Sequence, residues 1–267
     1  MKRKQNVFCC CNQKGGIGKT TISINLASVL SVVHNKKVLL VDMDGQANLT
    51  TASGFNPDDF GDNRKSTYDL MLQKDPKTKS FIVQTDVKNL DLLPSSKETY
   101  LLDQELIGKT RREYKLSQAL DKIRDVYDYI FIDTAPNLGM TTFNSFIASN
   151  KIIIVYSASE FALDGLSQLV STIYEIIDDK FLNINQTEII GAVCNNYDSR
   201  TKVVNRKIDE EMKKIDMIGH YFPQISESTE IKKSQFKHTP LINFNPRHKT
   251  TLQFKKFAQE VLEWQEK

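Results

Sequence analysis

A glycine-rich stretch near the start of the chain carries the residue types of a phosphate-binding loop. It follows an apolar run at residues 7–11 and precedes apolar residues at helical spacing, so a strand, a turn and a helix are predicted in that order. Glycines let backbone N–H groups turn inward, and the helix N-terminus adds a positive dipole end. Lys19 would reach the β- and γ-phosphates of a nucleotide, and the Thr20 hydroxyl would bind Mg²⁺. The residues expected to hold the nucleotide are Lys14, Gly15, Gly16, Ile17, Gly18, Lys19, Thr20 and Thr21.

The spacing of this stretch departs from the common phosphate-binding pattern. That pattern has a glycine five residues before Gly18, where this chain has Gln13. Residues 14–20 instead read Lys-Gly-Gly-Ile-Gly-Lys-Thr, with a second lysine at the front. The alternative interpretation, a flexible surface turn before an ordinary helix, does not account for two lysines and three glycines in register after a strand.

This variant resembles the deviant Walker A loop of the ParA/MinD ATPases, a family that includes the nitrogenase iron protein. In that family the front lysine reaches across a dimer to the partner's nucleotide. The resemblance therefore implies ATP and Mg²⁺ as cofactors and an ATP-bound homodimer. It also implies that both lysines, Lys14 and Lys19, act in catalysis.

Two aspartates follow the next predicted strand, at residues 37–41. Asp42 and Asp44 are two residues apart, so their side chains point the same way at the carboxyl end of a strand, where open α/β sheets bind ligands. One carboxylate can hold Mg²⁺ through water while the other orients an attacking water, and we assign Asp42 and Asp44 to these roles respectively. A solvated acidic turn is the alternative. The family has Asp-x-Asp-Pro-Gln here, and this chain has Gly45 in place of the proline.

A third aspartate, Asp133, ends the apolar run at residues 129–133. A single apolar run with a terminal aspartate is a weak signal, but its distance after the glycine-rich stretch resembles a Walker B segment. The resemblance assigns Asp133 to Mg²⁺ through a bound water. The following residues, 134–139, match the family's turn that approaches the γ-phosphate.

Residues further along the chain indicate which branch of the family this chain resembles, and which residues could contact the adenine base of the nucleotide. Residues 161–166, Phe-Ala-Leu-Asp-Gly-Leu, are similar to a stretch of the ParA/Soj partitioning ATPases. Asn195 stands where family members often contact the adenine edge. The family's adenine-facing Pro-x-Asn aligns either with residues 223–225 or with residues 226–228, and both placements lose the asparagine. Pro223 is the candidate base contact of the first placement.

Composition favours an ordinary soluble globular protein with its basic charge late in the chain. The 267 residues are 40% hydrophobic and 26% charged, with a net charge of +3. Residues 195–267 hold 14 Lys or Arg against 10 Asp or Glu. No apolar run approaches the ~20 residues of a membrane helix. The four cysteines include no Cys-x-x-Cys pair, and Cys9, Cys10 and Cys11 alternate between two faces of a strand, so small buried hydrophobes are expected rather than a metal site.

The late basic residues are candidates for contacts with DNA phosphates. By resemblance, the ATP dimer binds double-stranded DNA without sequence preference, and a ParB-like centromere-binding protein stimulates hydrolysis and release. For any single cation a solvated surface charge is the simpler interpretation, and Glu230 stands where one placement gives relatives a DNA-binding arginine. The candidates chosen are Arg200, Lys202, Lys232, Lys233 and Arg247.

The predicted fold is a doubly wound α/β domain of the P-loop NTPase type, with a mostly parallel sheet flanked by helices, spanning residues 1–267 as one domain. The expected function is a slow, partner-stimulated partitioning ATPase of the cytoplasm, associated with the nucleoid. One alternative is a MinD-like membrane-cycling ATPase, which needs a basic amphipathic anchor where residues 260–267 are acidic. A ParA-like ATPase that positions another cargo is a second alternative. An iron–sulfur carrier would need the paired cysteines that the sequence lacks.

Overall fold

The structure, a computed structural model, describes residues 6–61, 65–157, 164–178, 187–215 and 217–265. Its strands are β1 (Val7–Cys11), β2 (Val38–Met43), β3 (Val83–Gln84), β4 (Leu90–Leu93), β5 (Tyr129–Thr134), β6 (Lys151–Ser157) and β7 (Glu188–Asn195). They form one sheet in the order β3-β4-β2-β5-β1-β6-β7. All pairings are parallel except that of β3 with β4. The prediction of a doubly wound, mostly parallel sheet is confirmed.

Helices cover both faces of this sheet. They are α1 (Lys19–Val32), α2 (Asn48–Ala52), α3 (Thr67–Leu72), α4 (Leu102–Glu105), α5 (Lys115–Asp121), α6 (Met140–Ala148), α7 (Asp164–Asp178), α8 (Lys202–Met212), α9 (Thr229–Phe236), α10 (Leu241–Phe244) and α11 (Lys249–Gln265). Short 3₁₀ turns lie at Pro57–Phe60, Thr78–Phe81, Lys97–Leu101, Arg112–Tyr114 and Arg124–Val126. No helix of the described chain has the length and apolar character to cross a membrane.

The strands are buried on both sides, as their continuous apolar runs predict. On one face, α1 and α11 pack against Phe8, Cys10 and Leu40. On the other, α6, α7 and α8 pack against Cys9 and Cys11. The cysteines therefore alternate between two apolar layers, and burial raises the pKa of the Cys10 thiol.

Helix α1 carries the residues after the glycines and is buried nearly all round. Two of its buried polar side chains donate to carbonyls of the same helix: Ser28 donates to the Ile24 carbonyl at 2.7 Å and Asn25 donates to the Thr21 carbonyl at 2.9 Å. Because buried polar groups without partners are costly, these bonds let a serine-rich helix sit in the core. The helix is a fixed support for the groups at its N-terminus.

One predicted helix is broken. Residues 112–126 are expected to form one continuous helix, but the structure has α5 between two 3₁₀ turns. The α-helix ends at Asp121, and three residues later Arg124 turns inward: its side chain is 3% exposed and pairs with Asp121 at 2.9 Å.

Beyond β7 the chain returns along the outer edge of the sheet. Residues 220–227, here called the edge segment, run parallel to β7 through bridges at Tyr221 and Ser226. The Phe222 N–H donates to the Ala192 carbonyl at 2.9 Å, and the Ile225 N–H donates to the Cys194 carbonyl at 2.8 Å. The edge segment thus extends the sheet and brings residues 226–228 to the carboxyl end of β7.

Candidate nucleotide-binding site

The phosphate loop (residues 12–18) joins β1 to the N-terminus of α1 and uses two glycines in left-handed conformations. Gly16 has φ 74° and Gly18 has φ 91°. A Cβ atom at Gly18 would lie 2.0 Å from Nδ2 of Asn195, so both the conformation and the available space require glycine there. The loop is thus fitted closely against the end of β7.

A cavity of about 580 Å³ opens over the phosphate loop, and it is called the loop cavity below. Loop glycines and the first residues of α1 form one side, and the turns after β2 and β5 form the other. Its lining residues are Gly15, Gly16, Gly18, Lys19, Thr20, Thr21, Asp44, Gln46, Asn48, Thr51, Ala52, Thr134, Pro136, Gln235 and His238. Most of the predicted nucleotide contacts therefore meet at one cavity.

The two lysines of the loop occupy different environments. Lys19 is buried, and its Nζ donates to the Lys14 carbonyl at 3.4 Å. Burial lowers the pKa of Lys19, while the nearby Asp133 and Asp44 oppose that shift. Lys14 has an exposed side chain, and its backbone N–H donates to Oδ1 of Asn12 at 2.9 Å. Lys19 is therefore set to act within its own cavity, whereas Lys14 lies at the surface.

Asp133 is held by the first turn of α1. Thr20 donates its hydroxyl to Oδ2 of Asp133 at 2.6 Å, and Ser23 donates to Oδ1 at 3.2 Å. The carboxyl is 1% exposed, and burial raises its pKa to about 6 against the opposing effects of Thr20 and Lys19. The predicted metal ligands Thr20 and Asp133 are thus in direct contact.

Asp42 lies beside Asp133 on the neighbouring strand and is fully buried. Its Oδ2 accepts the backbone N–H and the hydroxyl of Thr50 at 2.8 and 2.7 Å, and its Oδ1 accepts the N–H of Asp44 at 3.1 Å. Burial first, and then the charge of Asp133, raises the pKa of Asp42 to about 8. Asp42 therefore fixes the turn that follows β2.

That turn presents Asp44 to the loop cavity. Asp44 is 7% exposed, and its Oδ1 accepts the N–H of Gln46 at 2.9 Å. Gly45 is required by packing, because a Cβ atom there would lie 2.6 Å from the ring of Tyr100. The ring thus occupies the space that a proline would fill, which accounts for the departure from the family's sequence.

The donor set suits a magnesium ion that is bound largely through water. Among the described residues, no group of three or more His, Cys, Asp or Glu side chains is placed to hold a metal directly. Burial raises the pKa values of Asp42 and Asp133 because it disfavours their charged forms, and a divalent cation nearby would favour those charged forms again. The Thr20 hydroxyl donates a hydrogen bond to Asp133, so the lone pairs of the Thr20 oxygen remain available to a cation. These residues fit Mg²⁺ and a bound phosphate.

The two candidate base contacts are placed differently. Asn195 is 1% exposed behind the phosphate loop, and its Nδ2 donates to the Ile17 carbonyl at 2.7 Å. Its Oδ1 is buried without a hydrogen-bond partner in the structure. Pro223 does not join the loop cavity and instead lines a separate cavity at the sheet edge.

The placement of the edge segment favours the second of the two alignments for the base-contacting stretch. The Glu227 N–H donates to the Tyr197 carbonyl at 3.1 Å, directly after β7. A cavity of about 550 Å³ lies between residues 197–200 and residues 226–229. Residues 226–228 are therefore next to Asn195 in space, whereas Pro223 is not brought to the phosphate loop.

The sequence prediction missed several residues that line the loop cavity, among them Gln235 and His238. Nε2 of Gln235 donates to Oγ1 of Thr21 at 2.9 Å across 214 residues of sequence. His238 follows α9 with φ 49°. Nothing in the motif spacing marks either residue, because α9 reaches the loop only through tertiary packing. The Leu241 N–H, which donates to Oδ1 of Asn25 at 2.8 Å, fixes the same region to α1.

Three of the DNA candidates are already paired with carboxylates. Arg200 contacts Asp198 at 2.8 Å, Lys232 contacts Glu227 at 3.4 Å and Lys233 contacts Glu230 at 2.7 Å. Arg247 lines the same cavity as Pro223. The side chain of Lys202 lies outside the described part of the chain, as do residues 161–163 of the ParA/Soj-like stretch.

Comparisons with known proteins agree with this geometry. A family model described as an AAA domain matches residues 5–189. The sporulation initiation inhibitor protein Soj of Bacillus subtilis is 33% identical over 255 residues, covering 96% of this chain and 97% of that protein.

Two solved structures are also similar. A putative plasmid partition protein of Borrelia burgdorferi bound to AMPPNP has a TM-score of 0.80 and 25% identity, covering 98% of this chain and 100% of that one. Cobyrinic acid a,c-diamide synthase of Mycobacterium smegmatis with bound ATP analog and magnesium has a TM-score of 0.84 and 26% identity, covering 97% and 95%. Their bound ligands are of the class that the loop cavity suits. This chain belongs to the ParA/MinD family of ATPases with a deviant Walker A loop, as one of its ParA/Soj-type members.

Proposed function

We propose that this protein is a DNA-partitioning ATPase that binds ATP and Mg²⁺ in the loop cavity. The observation that carries the proposal is the meeting of Lys19, Thr20 and Asp44 around one cavity at the carboxyl ends of β1, β2 and β5, with the buried Asp133 bound to the Thr20 hydroxyl. A solved structure of similar fold is bound to an ATP analog and magnesium. The cargo is a plasmid or a chromosome.

The roles of the residues follow from their environments. Lys19 places its charge against the β- and γ-phosphates, which also neutralises the negative charge that develops on the leaving ADP oxygen. Thr20 would bind a magnesium ion, and Asp133 and Asp42 would hold water bound to that ion. Asp44 orients the water that attacks the γ-phosphorus, and the bond from that phosphorus to the bridging oxygen breaks. Asp42 also holds Asp44 in place by accepting its N–H.

A homodimer completes the site in this proposal. The exposed position of Lys14 supports a role across the dimer, because its side chain lies at the surface and does not line the loop cavity, whereas that of Lys19 does. Asn195 and residues 226–228 surround the base. One domain spans residues 1–267, since the edge segment joins the sheet and α11 packs on α1.

The cargo-binding state is the ATP dimer, located on the nucleoid in the cytoplasm and released when a ParB-like protein stimulates slow hydrolysis. Its contact with duplex DNA uses late cations, among them Arg200, Lys232, Lys233 and Arg247. A membrane-cycling role is less well supported, because Phe254, Phe257 and Val261 on the apolar face of α11 are buried in the core.

Fluorescence anisotropy with two unrelated 30-base-pair duplexes tests this function. We expect both to bind in the presence of a slowly hydrolysed ATP analogue and neither to bind comparably with ADP. Affinity should fall by about 0.9 log unit per phosphate contact for each tenfold rise in salt, because counterions are released. Equal affinity in the two nucleotide conditions, or a flat salt response, would leave an ATPase with a different cargo.

A further inference from the structure

A cavity of about 860 Å³ lies at the outer edge of the sheet, separate from the loop cavity. The edge segment, the end of α8 and residues 247–256 enclose it, and it is called the edge cavity below. Its volume is in the range of sites that bind organic ligands or peptide side chains. Of the residues that line this cavity, the proposed function uses only Arg247, as a candidate DNA contact.

Four cations line the edge cavity without being neutralised. They are Lys213, Arg247, Lys249 and Lys256. Within the described chain none of the four makes an ion pair, and no acidic side chain lines the cavity. This differs from Arg200, Lys232 and Lys233, each of which has a carboxylate partner. Like charges held around one cavity attract an anionic ligand.

The interior of the edge cavity is apolar. Leu252 is 53% exposed, although it is a large aliphatic residue in a helix whose other apolar residues are mostly buried. Pro223 and Tyr221 are partly exposed opposite it, over buried Phe222 and Met212. The Gln224 side chain lines the same cavity and makes no hydrogen bond within the described chain. A ligand that satisfies this surface needs an apolar group and a hydrogen-bonding group in addition to its negative charge.

We propose that the edge cavity binds an acidic segment of a partner protein, with an aliphatic side chain as its anchor. Carboxylates of the segment pair with Lys249 and Lys256, its aliphatic side chain packs on Leu252 and Pro223, and its backbone bonds to the Gln224 amide. Duplex DNA fits this cavity less well, because a rigid convex phosphate surface reaches the rim cations and leaves the apolar interior uncovered. The charge complementarity and the exposed Leu252 are together the reasons for preferring an acidic peptide over duplex DNA as the ligand.

Fluorescence anisotropy with the full chain tests the proposal. The probe is a fluorescein-labelled twelve-residue peptide of glutamates with two central leucines, and its partner probe has serine in place of both leucines. We expect the leucine peptide to bind about fivefold more tightly than the serine peptide. The double substitution Lys249→Glu with Lys256→Glu should weaken binding by about tenfold or more. Leu252→Ser should remove the preference for leucine, since it deletes the apolar contact.

A matched control separates the edge cavity from general charge. Lys77→Glu with Lys79→Glu makes the same change in net charge at exposed residues near β3, at the opposite edge of the sheet. This control should change peptide affinity less than twofold, with circular dichroism confirming that each variant is folded. Equal loss in both double variants, or an unchanged leucine preference in Leu252→Ser, would overturn the proposal. Loss of duplex affinity without loss of peptide affinity in the Lys249/Lys256 variant would assign these cations to nucleic acid instead.

Discussion

The phosphate loop and the candidate DNA-contacting cations late in the chain are both proposed to bind phosphates, but their surroundings differ. Beside the loop cavity the carboxyl groups are buried and held by threonine hydroxyls: Thr20 donates to Asp133, and Thr50 donates to Asp42. On the surface the cations are exposed, and several are paired with a carboxylate a few residues away, such as Lys233 with Glu230. Removing one partner of a buried ion pair costs several kcal/mol of folding stability, whereas an exposed ion pair contributes roughly 0–1 kcal/mol. The loop should therefore respond strongly to single substitutions and the surface weakly.

The largest effect is expected for Lys19→Ala. Removing the lysine leaves Asp133 and Asp44 without their nearest cation and the phosphates without their donor, so ATP affinity should fall by about a thousandfold. Isothermal titration calorimetry measures it. Lys14→Ala is the matched control: its exposed lysine should leave the affinity of the monomer within a few-fold and remove only the ATP dimer, as seen by light scattering. Comparable losses of ATP affinity in both variants would show that burial does not distinguish the two lysines.

Asp44→Asn should separate binding from turnover. The amide oxygen can still accept the N–H of Gln46, so the turn is retained, but the charge that orients the attacking water is gone. Turnover should fall by about a hundredfold while ATP affinity stays near that of the wild type. A phosphate-release assay and a binding titration on the same sample check this. Hydrolysis at the wild-type rate would remove Asp44 from the mechanism.

Gly18→Ala tests how closely the phosphate loop fits against β7. The new methyl group would meet Asn195 in a left-handed backbone conformation, so the protein should lose about 1–3 kcal/mol of unfolding free energy. Gly15→Ala is its control within the same loop, because nothing lies within 4 Å of a Cβ atom there. Urea unfolding of both variants gives the comparison. Equal stability of the two would mean that Asn195 moves aside at little cost.

The smallest effects are expected on the surface. Arg200→Ala removes a side chain already bound to Asp198 through three hydrogen bonds of 2.9, 3.1 and 2.8 Å, so DNA affinity should change about twofold. Arg247→Ala removes the same type of side chain where no ion pair must be broken first, and about fivefold is expected. Anisotropy at two salt concentrations measures both. A larger loss for Arg200 would contradict the idea that local pairing lowers a cation's contribution.

The two regions also differ in how far the sequence predicts them. Lys19, Thr20 and Asp133 could be assigned in advance because neighbouring parallel strands bring their carboxyl ends to one edge. Gln235 could not, because its contact with Thr21 depends on the packing of α9 and leaves no spacing to detect. Pro223 illustrates the opposite error. It matches the family's pattern in one of two possible alignments, and only the hydrogen bonds of the edge segment show that residues 226–228 lie at the end of β7.

The bond from Gln235 to Thr21 ties a helix that carries Lys232 and Lys233 to the first turn of α1. If a bound phosphate also contacts the Thr21 hydroxyl, the phosphate and the Gln235 amide must share that one hydroxyl, and their positions depend on each other. Any ligand that rearranges that hydroxyl therefore acts on α9 as well. Thermodynamic linkage makes this coupling reciprocal. If ATP changes the affinity for a polyanion at α9 by some factor, the polyanion changes the affinity for ATP by the same factor. Cargo would in this way act as an effector of the nucleotide site.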